Sequence, residues 1–428
     1  MSALPATRDS WLAHLQSVHV AAWMALGGAA YMLGNLVLAG ILAPEDFGRL
    51  VLFQAMLGLG VSLAPLGLDS LVVRRELWLD SPALRMAALA GSITAVAFGI
   101  VAVVFFGLAL TAVSLLAPAI LVATTARMCA ASEQARLRLG KAQLLAQLPS
   151  LWFGVGAVAL AALDITDWHG GAAALASGYA LAAAWGMGLA RGRIAAADLA
   201  QQRNSFDRAT WNKALSLVGI LASVLLLHQI ERLVIPARLG LAALANFAVI
   251  ATVVGSPYRV LHGGIAYALM PRMRSATTGQ ERRRLVRTEL LVALLLGSAG
   301  GGALALAAGP LIHALYGTKY DVPLAVVIAI ALVGVVRLIY AVAAATVSAM
   351  GEQRQLRRFN ALGWVSTAVA TIGTIVLCVF GILGAVLGAG IGWTVRLVAA
   401  GFLAQSALRS GHEAEPDAHV NGAMIRTD

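Results

Sequence analysis

The run AALAGSITAVAFGIVAVVFFGLALTAVSLLAPAILVATTA, from Ala87 to Ala126, contains no charged residue. As a single α-helix it would be about 60 Å long, twice the roughly 30 Å hydrocarbon core of a bilayer. The run must therefore fold back on itself, and only Gly107 and Thr111 mark a turn. Two apolar helices side by side are expected here, and the same reading extends to the rest of the chain.

The chain has 428 residues, of which 60% are hydrophobic and 12% charged. Ordinary soluble domains carry about twice that share of charge, so this chain lacks the polar residues to cover a water-facing surface. Further uncharged runs cover Val18 to Ala43, Leu144 to Leu163 and Phe359 to Val395. Their length and their Ala, Leu and Gly content exclude barrel strands, which would alternate polar and apolar residues. The first run is too long for a signal peptide and follows Asp9 and His14. The only cysteines, Cys129 and Cys378, are far apart and have no ligand spacing around them. No metal site, cofactor or catalytic residue is expected. No GxxxxGK[ST] loop is present for binding nucleotide phosphates. The net charge of +11 lies mostly in short links between apolar runs, so a membrane surface explains it and nucleic acid is not an expected partner.

The fold expected is all-α and polytopic, with about twelve transmembrane helices. The spans fall near 18–42, 47–72, 84–108, 110–128, 144–163, 171–190, 214–236, 241–270, 289–312, 322–349, 360–380 and 384–405. Alternate links are strongly basic: Arg74, Arg75 and Arg85; Arg127, Arg136, Arg138 and Lys141; Arg191 to Lys213; Arg272 to Arg287; and Arg354, Arg357 and Arg358. The other links hold only Arg49, Arg232, Arg238 and Lys319, with acids such as Asp46, Asp167 and Asp321. This alternation places both termini in the cytoplasm of a bacterial inner membrane. The link from Arg191 to Lys213 divides the spans into two sets of six, giving bundles at 1–202 and 203–410 and a disordered tail at 411–428.

Two stretches carry a family likeness. They are LAGILAPEDFGRLVLFQAMLGLGVSLAPLGLDSLVVRR from Leu38 to Arg75, and ERLVIPARLGLAALANFAVIATVVGSPYRVL from Glu231 to Leu261, with ALMPRM following. LYGTKYDVPLAVVIAIAL from Leu315 and AMGEQRQLRR from Ala349 fit the same pattern. The chain resembles the polysaccharide-biosynthesis membrane proteins, the Wzx-type flippases of the multidrug/oligosaccharidyl-lipid/polysaccharide superfamily. Arg49 departs from that pattern, and twelve spans count against the fourteen-span lipid II flippase branch. The resemblance implies two six-helix bundles about a V-shaped central cavity that opens to alternate sides. It also implies a lipid-linked oligosaccharide as cargo, membrane lipids as surroundings and a polysaccharide polymerase as partner.

Arg259, Arg337 and Arg396 fall inside spans. A charge at the bilayer centre costs about 3 kcal/mol or more and often serves function. The in-span acids are Asp69, Glu133 and Glu231, placed near helix ends, so no carboxylate is expected level with Arg337 or Arg396. The three arginines are therefore candidates for holding a lipid pyrophosphate; the structural reading is that they brace helices or snorkel. His228, Glu231 and Arg232 share one face and could gate or couple to an ion, or form a local pair at the headgroups. Asp69 could pair with Arg74 or Arg75, or hold an inner gate. His262 and His313 read as satisfied interfacial residues. Gly384, Gly388 and Gly392 form a stripe for close helix contact.

The expected function is translocation, by alternating access, of an undecaprenyl-pyrophosphate-linked oligosaccharide for O-antigen, capsule or exopolysaccharide assembly. The alternative within the same superfamily is a cation-coupled multidrug exporter, which would need buried carboxylates for its cationic cargo. A glycosyltransferase would need a large outer loop, and none is long enough; a scaffold role is the remaining alternative. Reporter fusions at Ala43, Asp167, Gly240 and Thr318 should report the periplasm, and those at Leu79, Gln202, Gly279 and Gln355 the cytoplasm. A cytoplasmic signal at Asp167 would remove the six-plus-six division.

Overall fold

The structure is a computed structural model, and it describes residues 6–199, 206–276 and 278–413. Eleven apolar segments are long enough to cross a membrane, and the last, Arg354–Arg409, is 56 residues long. That segment breaks at Cys378–Phe380 and Gly381, so twelve spans result. In order they are α1 (Ala6–Ile41); α2 (Pro44–Leu63) with the short α3 (Leu68–Val73); α4 (Ser81–Phe106); α5 (Leu110–Ala135); α6 (Leu139–Ala162); α7 (Trp168–Leu199); α8 (Arg208–Leu239); α9 (Leu241–Ile250) continued by α10 (Ser256–Ser275); α11 (Gly279–Tyr316); α12 (Leu324–Met350); α13 (Gln353–Leu377); and α14 (Gly381–Glu413). The protein is a multi-pass membrane protein. Leu306 and Phe105 are 80% and 71% exposed, as side chains facing lipid would be.

The expected hairpin is present, with Gly107 at φ +60 closing α4. That left-handed conformation strains any residue with a Cβ, so a glycine marks the turn. Pro65 and Gly67 separate α2 from α3, and residues 251–255 form a π-helical turn just ahead of Pro257. Irregularities of this kind bend helices, as the Gly255–Pro257 pair suggests.

The link from Arg191 to Lys213, polar enough for a surface helix or a flexible connector, is mostly helix among the described residues, because α7 runs to Leu199 and α8 starts at Arg208. One boundary needs correction. The basic stretch GQERRRLVR is the first turns of α11, which begins ten residues before the span expected there. Thr278 caps it by accepting the Glu281 amide at 3.2 Å. Hydropathy marks only the part of a helix in hydrocarbon, so polar extensions beyond the bilayer read as links. The tail beyond Glu413 and the middle of the α7–α8 link lie outside the described residues.

Helices on either side of that link pack mainly with their own half. Before it, α1 lies along α6, and α5 touches α4, α6 and α7; after it, α12 packs on α10, α11 and α14, and α8 on α13 and α14. The glycine stripe works as expected. A Cβ on Gly388 would come within 2.4 Å of the Gly373 and Thr374 backbone, so α13 and α14 touch main chain to main chain. The halves meet where α2 crosses α8 and α9 and where α1 meets α10.

Candidate functional site

Call the end that carries Arg74, Arg138, Lys213, Arg274 and Arg354 the basic face. At the opposite face the halves are fastened together. Lys319, in the link before α12, donates to the carbonyls of Ala39, Gly40 and Leu42 at 2.8, 2.8 and 2.6 Å. Tyr316 and Tyr320 donate to the Leu36 and Ala39 carbonyls, both at 2.8 Å. Ala39 and Gly40 are among the orphan carbonyls of the last turn of α1, where a cation also suits the helix dipole. Partial burial lowers the Lys319 pKa below the usual lysine value, a cost that the three carbonyls offset. Nearby, Gly48 approaches so closely that a Cβ would lie 2.2 Å from the Leu241 carbonyl oxygen.

Toward the basic face a cavity of about 840 Å³ opens between α1, α2, α3, α5, α6 and α7 on one side and α8 on the other. It extends from Arg74 and Leu139 at the helix ends inward to Pro149 and Gly58. Ten residues of α6 separate Leu139 from Pro149, so it reaches about 15 Å, half the hydrocarbon core. Asp69 lines it, bound by Arg127 through Nη2 at 2.6 Å and Nε at 3.1 Å. Arg74 and Arg75 were the expected partners. Arg127 is 58 residues away, and only the packing of α3 on α5 brings it close. Gln134, Gln143 and Ser62 also line the cavity and form no side-chain hydrogen bond among the described residues.

Arg337 is not alone at its depth. Its Nη2 lies 3.0 Å from Glu231 Oε1, and its guanidinium stands over the Trp393 ring at 4.8 Å. The expectation of no carboxylate there fails because α8 and α12 run in opposite directions. Side chains lean toward the N-terminus of their own helix, so Glu231 and Arg337 lean toward each other. Glu231 is 4% exposed, not a headgroup-level residue. Arg396 is 2% exposed and closed inside the second half. It donates to the Tyr340 hydroxyl at 2.9 Å, the Gly363 carbonyl at 3.3 Å and Ser223 Oγ at 3.2 Å. That is a brace between α8, α12, α13 and α14, so the structural reading holds for Arg396.

Arg259 is different. It is exposed, yet it sits in electrostatic range of Tyr31 on α1 and of Glu231, Arg232 and Arg337. Tyr31 belongs to the first half and the other three groups to the second, so Arg259 lies near the junction where α1 meets α10. Its only described partners are neutral: the Ala251 carbonyl in the π-helical turn at 3.4 Å and Ser256 Oγ at 3.3 Å. Arg232, which the sequence places near the outer surface, is 9% exposed and has no hydrogen bond or ion pair among the described residues. His228 is buried against Trp393, with ring centroids 4.6 Å apart, and 5.7 Å from His262. His262 donates from Nδ1 to the Arg337 carbonyl at 3.0 Å, so it is a deep residue and not an interfacial one. His228 lies one helical turn before Glu231, inside the second half.

The third in-span acid, Glu133, is 1% exposed and pairs with Arg193 of α7. All three in-span carboxylates thus have an arginine partner, whereas Arg232, Arg259 and Arg396 have no acid partner among the described residues.

No family model and no curated protein matches the chain. Solved structures do match its fold. An inward-facing multidrug resistance MATE family transporter of the MOP superfamily aligns with TM-score 0.62 at 14% identity, over 91% of this chain and 96% of that one. The lipid II flippase MurJ, in an inward closed conformation, gives 0.63 at 13% identity over 93% and 90%. The eukaryotic MATE transporter AtDTX14 gives 0.60 at 14% identity over 94% and 98%. The chain shares the fold of these proteins. Identities this low carry the architecture and not the cargo.

In this fold, Arg337→Ala should destabilise the protein strongly, because it leaves Glu231 buried without a counter-charge. Breaking one side of a buried pair costs about 3–5 kcal/mol, whereas removing both charges is often near neutral. Thermal unfolding in detergent should therefore show Arg337→Met far below the parent and Glu231→Gln with Arg337→Met much closer to it. Additive losses would mean that the two charges do not interact.

Proposed function

We propose that the protein is a transporter that flips an undecaprenyl-pyrophosphate-linked oligosaccharide from the inner to the outer leaflet of a bacterial inner membrane. The observation that carries this reading is the charge left over inside the spans. Asp69, Glu133 and Glu231 are each neutralised by arginine, and Arg232 and Arg259 are left without an acid partner among the described residues, Arg259 near the junction of the halves. Two guanidiniums without acids suit a pyrophosphate, whose oxygens accept charge-assisted and bidentate hydrogen bonds. The cavity on the basic side adds free amides and hydroxyls from Gln134, Gln143 and Ser62, which suit the hydroxyls of a glycan. With the opposite face clasped by Lys319, the cavity is placed to receive cargo from the basic side. The positive-inside rule makes that side the cytoplasm.

Two of the three structures described above are named as MATE transporters, one of them a multidrug resistance transporter. The rival reading is accordingly a cation-coupled multidrug exporter. A lipophilic cation would need an unpaired interior carboxylate, and none stands among the described residues. Ion coupling through Asp69 or Glu231 would likewise require displacing Arg127 or Arg337.

Each charge-assisted contact contributes roughly 1.5–3 kcal/mol, or about 10- to 150-fold in affinity. Arg259→Ala should therefore lower surface-polymer complementation per folded molecule by at least tenfold, and Arg259→Glu should abolish it. Arg259→Lys, which keeps the charge without the planar fork, should retain part. Full complementation by Arg259→Ala and Arg232→Ala, normalised to folded protein in the membrane, would overturn the anion site.

A further inference from the structure

A second recess lies outside the cavity, on the lipid-facing side of the last helix pair. Ala361 and Ala399 are small, and between them α13 and α14 leave a groove whose rims are Leu362, Val398 and Phe402. Phe402 is 70% exposed and Val398 51%, so this wall is apolar and open to the bilayer. Arg358 lies at its end on the basic face. On the same helical stripes, Arg354 stands one turn before Arg358 and Arg409 two turns after Phe402. All three arginines are exposed, and none forms an ion pair among the described residues. From Thr394 to Phe402 the groove runs about 12 Å along α14, close to the hydrocarbon depth of one leaflet.

We propose that this groove binds an anionic phospholipid of the leaflet at the basic face, with its phosphate on Arg358 and an acyl chain laid between α13 and α14. The length of the groove, its apolar lining and its cationic end match the two parts of such a lipid. Clusters of Arg at a membrane surface attract anionic headgroups, each adding to the binding. A zwitterionic lipid fills the same apolar wall but loses the charge match, so the groove selects by headgroup. The site is independent of the cargo reading, because no residue lining it also lines the cavity. A lipid wedged beside the closely packed α13–α14 contact would also stiffen the pair that carries Arg396.

The test is native mass spectrometry of protein released from nanodiscs of phosphatidylethanolamine and phosphatidylglycerol in equal amounts. One phosphatidylglycerol should be retained in at least tenfold preference over phosphatidylethanolamine. Arg358→Ala should remove the preference, and Arg358→Lys should keep most of it. Ala399→Trp fills the groove with every charge intact and should remove the bound lipid. Size-exclusion profiles and thermal unfolding confirm that each variant is folded. Equal retention of both lipids, or retention unchanged in Arg358→Ala and Ala399→Trp, would overturn the proposal. So would displacement of phosphatidylglycerol by equimolar undecaprenyl phosphate, which would make the groove a cargo site.

Discussion

An ionised side chain within a bilayer must be paired, hydrogen-bonded by neutral groups or kept wet, and the whole interior of this molecule is arranged around that requirement. Arg127, Arg193 and Arg337 neutralise the three carboxylates. Arg396 is hydrogen-bonded by Tyr340, Ser223 and a carbonyl. Arg259 stays exposed within the assembly. Helix positions follow from these demands as much as from apolar packing. Asp69 needs α3 against α5, Glu133 needs α7 beside α5, and Glu231 needs α8 within reach of α12. Among the described residues the in-span charges left without an acid partner are positive: Arg232, Arg259 and Arg396.

The two ends of the molecule contrast. At one face, donors from Lys319, Tyr316 and Tyr320 satisfy the last carbonyls of α1, and Gly48 lets α2 press against α9. At the other, the cavity opens among helices of the first half and α8. In the proposed transport cycle this clasp would be broken and remade, and main-chain acceptors on a helix end allow that without stranding a buried charge. Each of its hydrogen bonds contributes only about 1 kcal/mol net, so the set is strong enough to hold a state and weak enough to yield.

Much of the fold was legible in the sequence because hydropathy runs, turn glycines and the alternation of basic links are local signals. The Gly107 hairpin, the twelve spans and the Gly384–Gly388–Gly392 stripe are all of this kind. The pairings were not legible. Asp69 and Arg127 lie 58 residues apart, and Glu231 and Arg337 lie 106 apart. Their meeting depends on helix tilt, direction and side-chain lean, none of which a linear map contains. The same blindness made Arg396 look like a binding residue, although it is a brace. It also offered Arg232 as the partner of Glu231, although Glu231 pairs with Arg337. The expectation of no carboxylate partner held for Arg396, whose described partners are neutral, and failed for Arg337.

The central claim is that the leftover positive charge selects an anionic lipid cargo. Proteoliposomes holding the purified protein can be offered two cargoes separately: an undecaprenyl-pyrophosphate-linked oligosaccharide and a lipophilic cationic dye. The account predicts protein-dependent flipping of the lipid, lost in Arg259→Glu, with no movement of the dye under a proton or sodium gradient. Gradient-driven dye transport with no lipid flipping would contradict it.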